Sequence, residues 1–200
     1  MDTLRLLFGP MRPPFLLLAP ACVAIGVGTA HWQTGGVRWL HVLWVVVGAV
    51  ASHIAVNSAN EYFDFRSGLD ARTQRTPFSG GSGTLQAHPE LARATFALVI
   101  ASMAVAALVG LAFVRLQGWM LLPLGLAGLF LVLTYTVWWT HSPILCLLAP
   151  GLGFGALMVL GTHFALTGSY SWTALVASLV PTFQVSNLLL LNQFPDVEAD

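Results

Sequence analysis

Six times along this chain, apolar residues run for the width of a bilayer: over residues 14–32, 39–60, 93–114, 118–138, 144–166 and 172–194. Arg93, at one edge, is the only Asp, Glu, Lys or Arg inside any of them. About 20 apolar residues in a helix cross the hydrocarbon layer. Inside that layer every backbone N–H and C=O must be paired within the protein, which leaves helices or closed barrels. Runs of this length, without strict alternation, predict an all-α, polytopic transmembrane helical bundle with about six spans, forming a single domain over residues 1–200. Composition agrees, since 56% of residues are hydrophobic and only 8% charged, against about a quarter charged in soluble domains. The run beginning near Phe15 follows Pro13-Pro14 and precedes longer ones, so it reads as a retained first span and not a signal peptide. Trp32, Trp39, Trp119, Trp138, Trp139 and Trp172 fall near the ends of the runs, as interfacial belt residues do.

The charge balance removes one class of partner. Net charge is zero and all eight basic residues are Arg, so no broad basic surface exists for nucleic acid. The lipid bilayer is the partner expected. Cys22 and Cys146 both sit within apolar runs and read as small hydrophobes, not as a disulfide or a metal pair.

Acidic residues are few and clustered. Of eight, Glu61, Asp64 and Asp70 lie just after the second run, and Asp196, Glu198 and Asp200 just after the sixth. On a helix Asn57, Asn60, Glu61 and Asp64 fall at i, i+3, i+4 and i+7 and share one face; Asn192, Asp196 and Asp200 repeat every four residues. One acid at a helix end is usually a solvated loop residue. Two clusters, each with Asn one turn earlier, point instead to a pair of hard-cation sites, and Mg²⁺ is the ion that takes a few carboxylates while bridging the phosphates of a substrate. The six histidines form no ligand pair at helical spacing and read as interfacial or packed residues.

Orientation follows from arginine. With the amino terminus in the cytoplasm, Arg5, Arg12, Arg66, Arg72, Arg75 and Arg93 lie inside and only Arg38 and Arg115 outside, as the positive-inside bias prefers. Both acidic clusters then face the cytoplasm, because an even number of crossings separates them, and they can build one site. The longest polar connection, residues 61–92, carries Arg72, Arg75 and the glycine-rich run 76–83, whose backbone can adopt φ > 0 and wrap phosphate oxygens. Read in isolation the same run is a flexible linker; the acidic cluster directly before it favours phosphate. A diphosphate neutralised by metal and arginine becomes a better leaving group. An allylic group leaving it would form a delocalised cation, which dry, aromatic-lined helices can shelter. Gly151, Gly153, Gly155 and Gly161 are expected to let the fifth helix pack closely on a neighbour.

Taken together, Arg12-Pro-Pro-Phe15, Asn60-Glu-Tyr-Phe-Asp-Phe-Arg-Ser-Gly-Leu-Asp70, Phe78-Ser-Gly-Gly-Ser-Gly83, Tyr135-Thr136 and Asn192-Gln-Phe-Pro-Asp-Val-Glu-Ala-Asp200 resemble the UbiA superfamily of intramembrane prenyltransferases. The likeness is strongest to its 1,4-dihydroxy-2-naphthoate prenyltransferase branch, which serves menaquinone biosynthesis. It implies Mg²⁺-dependent transfer of a polyprenyl group from a polyprenyl diphosphate to an aromatic acceptor, 1,4-dihydroxy-2-naphthoate or a related quinol precursor, at the cytoplasmic face of the cell (inner) membrane. Asp64 and Asp196 would be catalytic, and Asn60, Glu61, Asp64, Asp70, Asp196 and Asp200 would hold metal. Asn57, Arg72, Arg75, Tyr135 and Asn192 would contact diphosphate or acceptor. The chain departs from the pattern where Glu61 replaces an Asp and where Phe154 replaces a Glu after Gly-Leu-Gly. The family bundle has nine spans, so a chain of about six is expected to be incomplete at its carboxyl end.

Two other classes fit less well. Membrane CDP-alcohol phosphotransferases also use aspartates and divalent metals, but Gly68-Leu-Asp70-Ala-Arg72 carries their elements in the wrong order. A cation transporter or channel places ionisable groups within its spans, whereas the acids here lie at span ends.

Overall fold

The computed structural model describes residues 3–68, 81–139 and 142–193. Every regular element among them is helical. Three short turns, Thr3–Leu6, Phe8–Met11 and Pro13–Leu16, lead into α1, Leu18–Thr34, and α2 follows over Trp39–Ser67. A short helix, Thr84–Ala87, and a 3₁₀ turn precede α3, Ala92–Gln117; then come α4, Leu122–Trp138, α5, Pro143–Thr167, and α6, Trp172–Gln193.

Each expected run contains one long helix, but their capacities to span differ. α2, α3 and α5, and α6 through Leu191, are long and apolar enough to cross a bilayer alone. α1 joins them only if the segments Phe8–Leu16 and Leu18–Thr34, bent by 41°, act as one broken span. The run at 118–138 gives a shorter apolar helix over Trp119–Tyr135. Among the described residues, four helices are thus long and apolar enough to span, or five with the bent pair, against about six expected.

Many large apolar side chains face outward, as a lipid-facing bundle requires, around an interior that is apolar but also holds small hydroxyls. Leu40, Leu43, Leu108, Leu126, Ile144 and Phe183 are exposed, while Ser58, Thr95, Thr134, Ser178, Thr182 and Ser186 are buried. Thr134, Ser178 and Thr182 donate to carbonyls three or four residues back, Thr134 to Phe130 and Thr182 to Ser178. Small interior residues let backbones approach, which is where helix packing in lipid gains its dispersion energy. Gly26 admits Thr162 of α5 against α1, and Gly48 admits Val109 of α3 against α2.

α5 is not regular. Pro150 lacks an amide hydrogen, and residues Leu152–Leu157 wind as a π-helical stretch in which the Met158 amide reaches back to the Gly153 carbonyl. The wider turn rotates neighbouring residues onto different partners. Gly151 and Gly155 abut Thr182 and Ser186 of α6, Gly153 abuts Leu131 of α4, and Phe154 sets its ring edge-on to His53 of α2 at 4.5 Å. The glycines expected to pack do so.

Connections alternate between two ends of the bundle. At one end Gln33 donates to Ser169, Gln117 donates to the Ala165 carbonyl and Tyr170 donates to the Met120 carbonyl. Trp32, Trp39, Trp119 and Trp172 are all exposed at that end. At the other end the C-terminal turn of α2 meets the amino-terminal segment and the chain around Ser82. Because Ser186 lies on Gly151 and Thr182 on Gly155, α6 runs antiparallel to α5. Its last described turn therefore points toward the same end as the last turn of α2.

Candidate functional site

The last turns of α2 carry the first acidic cluster, and α2 is long enough to bring it there. α2 stays helical through Ser67 and stops at Gly68, whose φ of +75° closes the turn with a hydrogen bond to the Asp64 carbonyl. The helix holds Asn57, Asn60, Glu61 and Asp64 on one face, as their spacing requires.

That face is divided into two rows. His53, Asn57 and Glu61, each four residues apart, are all buried, at 4%, 9% and 1% exposure. Asn60 and Asp64 form the adjoining row and are half-buried. Asn57 Nδ2 donates to the Met11 carbonyl at 2.9 Å and so ties α2 to the segment entering α1. Glu61 Oε2 accepts the Ser82 backbone N–H at 2.8 Å, and Oε1 accepts the Ser82 hydroxyl at 2.5 Å. The Arg12 guanidinium stands 3.9 Å from Oε2. A buried carboxylate needs this company, since a desolvated charge without hydrogen bonds is costly by several kcal/mol.

Tyr135, in the last turn of α4, is buried, and its hydroxyl lies 3.7 Å from Cys146 Sγ at the start of α5. α4 thus packs against α2, and Tyr135 joins it to the start of α5. Asn192 lies in the last turn of α6. Asp70, Arg72, Arg75, Asp196 and Asp200 lie outside the described residues.

Among the described residues, no group of three or more His, Cys, Asp or Glu could hold a metal ion. The half-buried carboxylate and carboxamide of Asp64 and Asn60 are hard oxygen donors, as Mg²⁺ prefers. Mg²⁺ commonly reaches protein through one or two carboxylates and completes its shell with water and substrate phosphate. The donor set fits that ion. Gly81 and Gly83 have φ of +70° and +73°, the left-handed backbone expected of the glycine-rich run.

Two residues at this end escaped sequence reasoning. Arg12 stood out only among the cytoplasmic arginines and in a short likeness, and Ser82 only as one residue of the glycine run. No spacing rule could have joined positions 12, 61 and 82, which belong to three segments. Of the described histidines, His53 and His163 are buried, and His163 in α5 places Nδ1 3.0 Å from Thr29 Oγ1 of α1.

Comparison with known proteins adds an independent line. The pattern of the UbiA prenyltransferase family matches residues 17–200. A 1,4-dihydroxy-2-naphthoate octaprenyltransferase of Mycobacterium leprae is 29% identical over 192 residues, covering 94% of this chain and 63% of the relative. The protein of that name from Bacillus subtilis is 28% identical over 202 residues, covering 98% and 62%. A 2-carboxy-1,4-naphthoquinone phytyltransferase of Synechocystis is 25% identical over 209 residues, covering 99% and 63%. The chain thus spans a little under two thirds of the length of these curated relatives.

Proposed function

We propose that this chain, which belongs to the UbiA prenyltransferase family, contributes to Mg²⁺-dependent transfer of a polyprenyl group from its diphosphate to 1,4-dihydroxy-2-naphthoate or a related quinol precursor. The observation that supports the reading is the half-buried row of Asn60 and Asp64 at the end of α2, the bundle end toward which α6 also runs. That end carries Arg12, Arg66 and Arg93, whereas Arg38 and Arg115 lie toward the other, so the positive-inside bias assigns it to the cytoplasm. The relatives named above act, by their names, on naphthoate-type acceptors, which favours that acceptor class here.

In this reading Asn60 and Asp64, with Asp70, Asp196 and Asp200, hold the cation, and Arg72, Arg75 and Asn192 contact the diphosphate. Mg²⁺, when bound, would neutralise the diphosphate and improve it as a leaving group. The chain's own part is to orient that head at the bundle end and exclude water from the carbon it leaves. The allylic carbon–oxygen bond breaks with its electron pair going to the diphosphate, and a ring carbon of the electron-rich acceptor attacks the allylic cation that remains. Loss of CO₂ from the attacked ring carbon, or of a proton where no carboxylate is present, restores aromaticity. Tyr135, near the end of α4, faces the acceptor in this reading.

The test is to supply membranes containing the full-length protein with labelled polyprenyl diphosphate and 1,4-dihydroxy-2-naphthoate. A prenylated, decarboxylated quinol by mass spectrometry, lost with EDTA and restored by Mg²⁺, is expected. Transfer from labelled CDP-alcohol, or divalent-cation flux in liposomes without prenyl transfer, would overturn the proposal.

A further inference from the structure

We infer that Glu61 is a positioning residue and not a metal ligand: its carboxylate clasps Ser82 and Arg12 against α2 and leaves the cation to the neighbouring row, Asn60 and Asp64. The inference rests on the reading above, in which that row holds a divalent cation.

Three observations carry it. First, the Glu61 side chain has no exposed surface. Mg²⁺ arrives hydrated and sheds water reluctantly, so a ligand on this face must lie open to the site. Second, both carboxylate oxygens are already engaged, one by the Ser82 amide and one by the Ser82 hydroxyl. Arg12 at 3.9 Å supplies the balancing charge. A cation bound to the same oxygens would face these donors in a dry setting, where charge repulsion is strong. Third, the contacts around Glu61 interlock three distant segments. Ser82 Oγ lies 2.8 Å from Thr84 Oγ1 and accepts the Thr84 amide at 3.1 Å. Gly9 sits so close to Thr84 that a Cβ there would collide with its hydroxyl. Asn57, one turn before Glu61, fixes Met11 from the other side.

The periodicity explains the division of labour. Residues four apart on a helix are offset by about 40°, so 57 and 61 form one row and 60 and 64 the next. The first row turns into the protein and fastens the chain; the second borders the site. A Glu at position 61, one methylene longer than Asp, gives the reach needed to meet Ser82 from within the helix packing.

Glu61→Gln and Ser82→Ala in the full-length protein test this, with Asp64→Asn as the control. Amide hydrogen exchange over residues 82–87, measured without metal, is expected to quicken about tenfold in both clasp variants as a charge-assisted hydrogen bond is lost. Binding of Mn²⁺, standing in for Mg²⁺ and read by EPR, is expected to stay within about twofold of the parent in the clasp variants. It should fall at least about tenfold in Asp64→Asn. KM for the prenyl diphosphate is expected to rise roughly tenfold in the clasp variants with kcat nearly unchanged, since the segments are displaced and the reacting groups kept. A fall in Mn²⁺ affinity for Glu61→Gln matching that of Asp64→Asn would overturn the inference, and so would unaltered exchange over 82–87. A parent protein that binds no divalent cation would count against the proposed function instead, and the exchange measurement would still decide whether the clasp exists.

Discussion

Gly155 of α5 lies against Thr182 of α6 so closely that a Cβ on the glycine would stand 2.5 Å from the Thr182 amide nitrogen. The obstacle is backbone, which cannot swing aside as a side chain can. Gly155→Leu is therefore expected to force α5 and α6 apart, at a cost of about 1–3 kcal/mol or more. Thermal unfolding in detergent should show a lowered midpoint for this variant. Gly128→Leu, at a position with nothing within 4 Å of an added Cβ, should leave the midpoint near that of the parent.

Asp64 is the described carboxylate on the half-buried row of α2. Replacing it by Ala in the full-length protein is expected to lower kcat for prenyl transfer by about a hundredfold or more, and Asp196→Ala should do the same. Initial rates at saturating Mg²⁺ and substrate check both; near-parental activity in either would defeat the assignment of that residue.

Tyr135 and Cys146 make a weak hydroxyl–thiol contact at 3.7 Å. Its loss should be mild, so Tyr135→Phe is expected to retain activity within about tenfold. Tyr135→Ala, which also opens space at the junction of α4 and α5, should be worse and less stable by about 3 kcal/mol or more. Parallel kinetics and unfolding curves separate the two effects.

The alternation of helix ends makes a topological prediction. In a background with Cys22 and Cys146 replaced by Ala, a single Cys at Arg38 should react with an impermeant maleimide in intact cells. A single Cys at His88, at the Asp64 end, should react only after permeabilisation. The reverse pattern would place the site on the other face of the membrane.

The helical fold was legible in the sequence because a bilayer admits so few solutions to backbone hydrogen bonding. Each of the six runs holds a helix, and α5 met α6 through glycine as its small residues foretold. The length of each span was less legible. A hydropathy window cannot see that Pro13 and Pro14 precede a bend of 41°, or that the run at 118–138 begins in a 3₁₀ turn. The π-helical stretch at Leu152–Leu157 was invisible as well. There, successive residues of one helix meet α6, α4 and α2.

The candidate site divides in the same way. Periodicity by itself determined that Asn57, Asn60, Glu61 and Asp64 share a face, since 3.6 residues per turn permits nothing else once the segment is helical. Parity of crossings set the ends of α2 and α6 on one side. Only the tertiary structure decided which of those four side chains turns inward. Glu61 is buried because the chain at Ser82 and the chain at Arg12 both return to it, and a carboxylate is held in a dry interior only where donors from elsewhere come to meet it. Contacts between segments so far apart in sequence follow from packing, which no local pattern encodes.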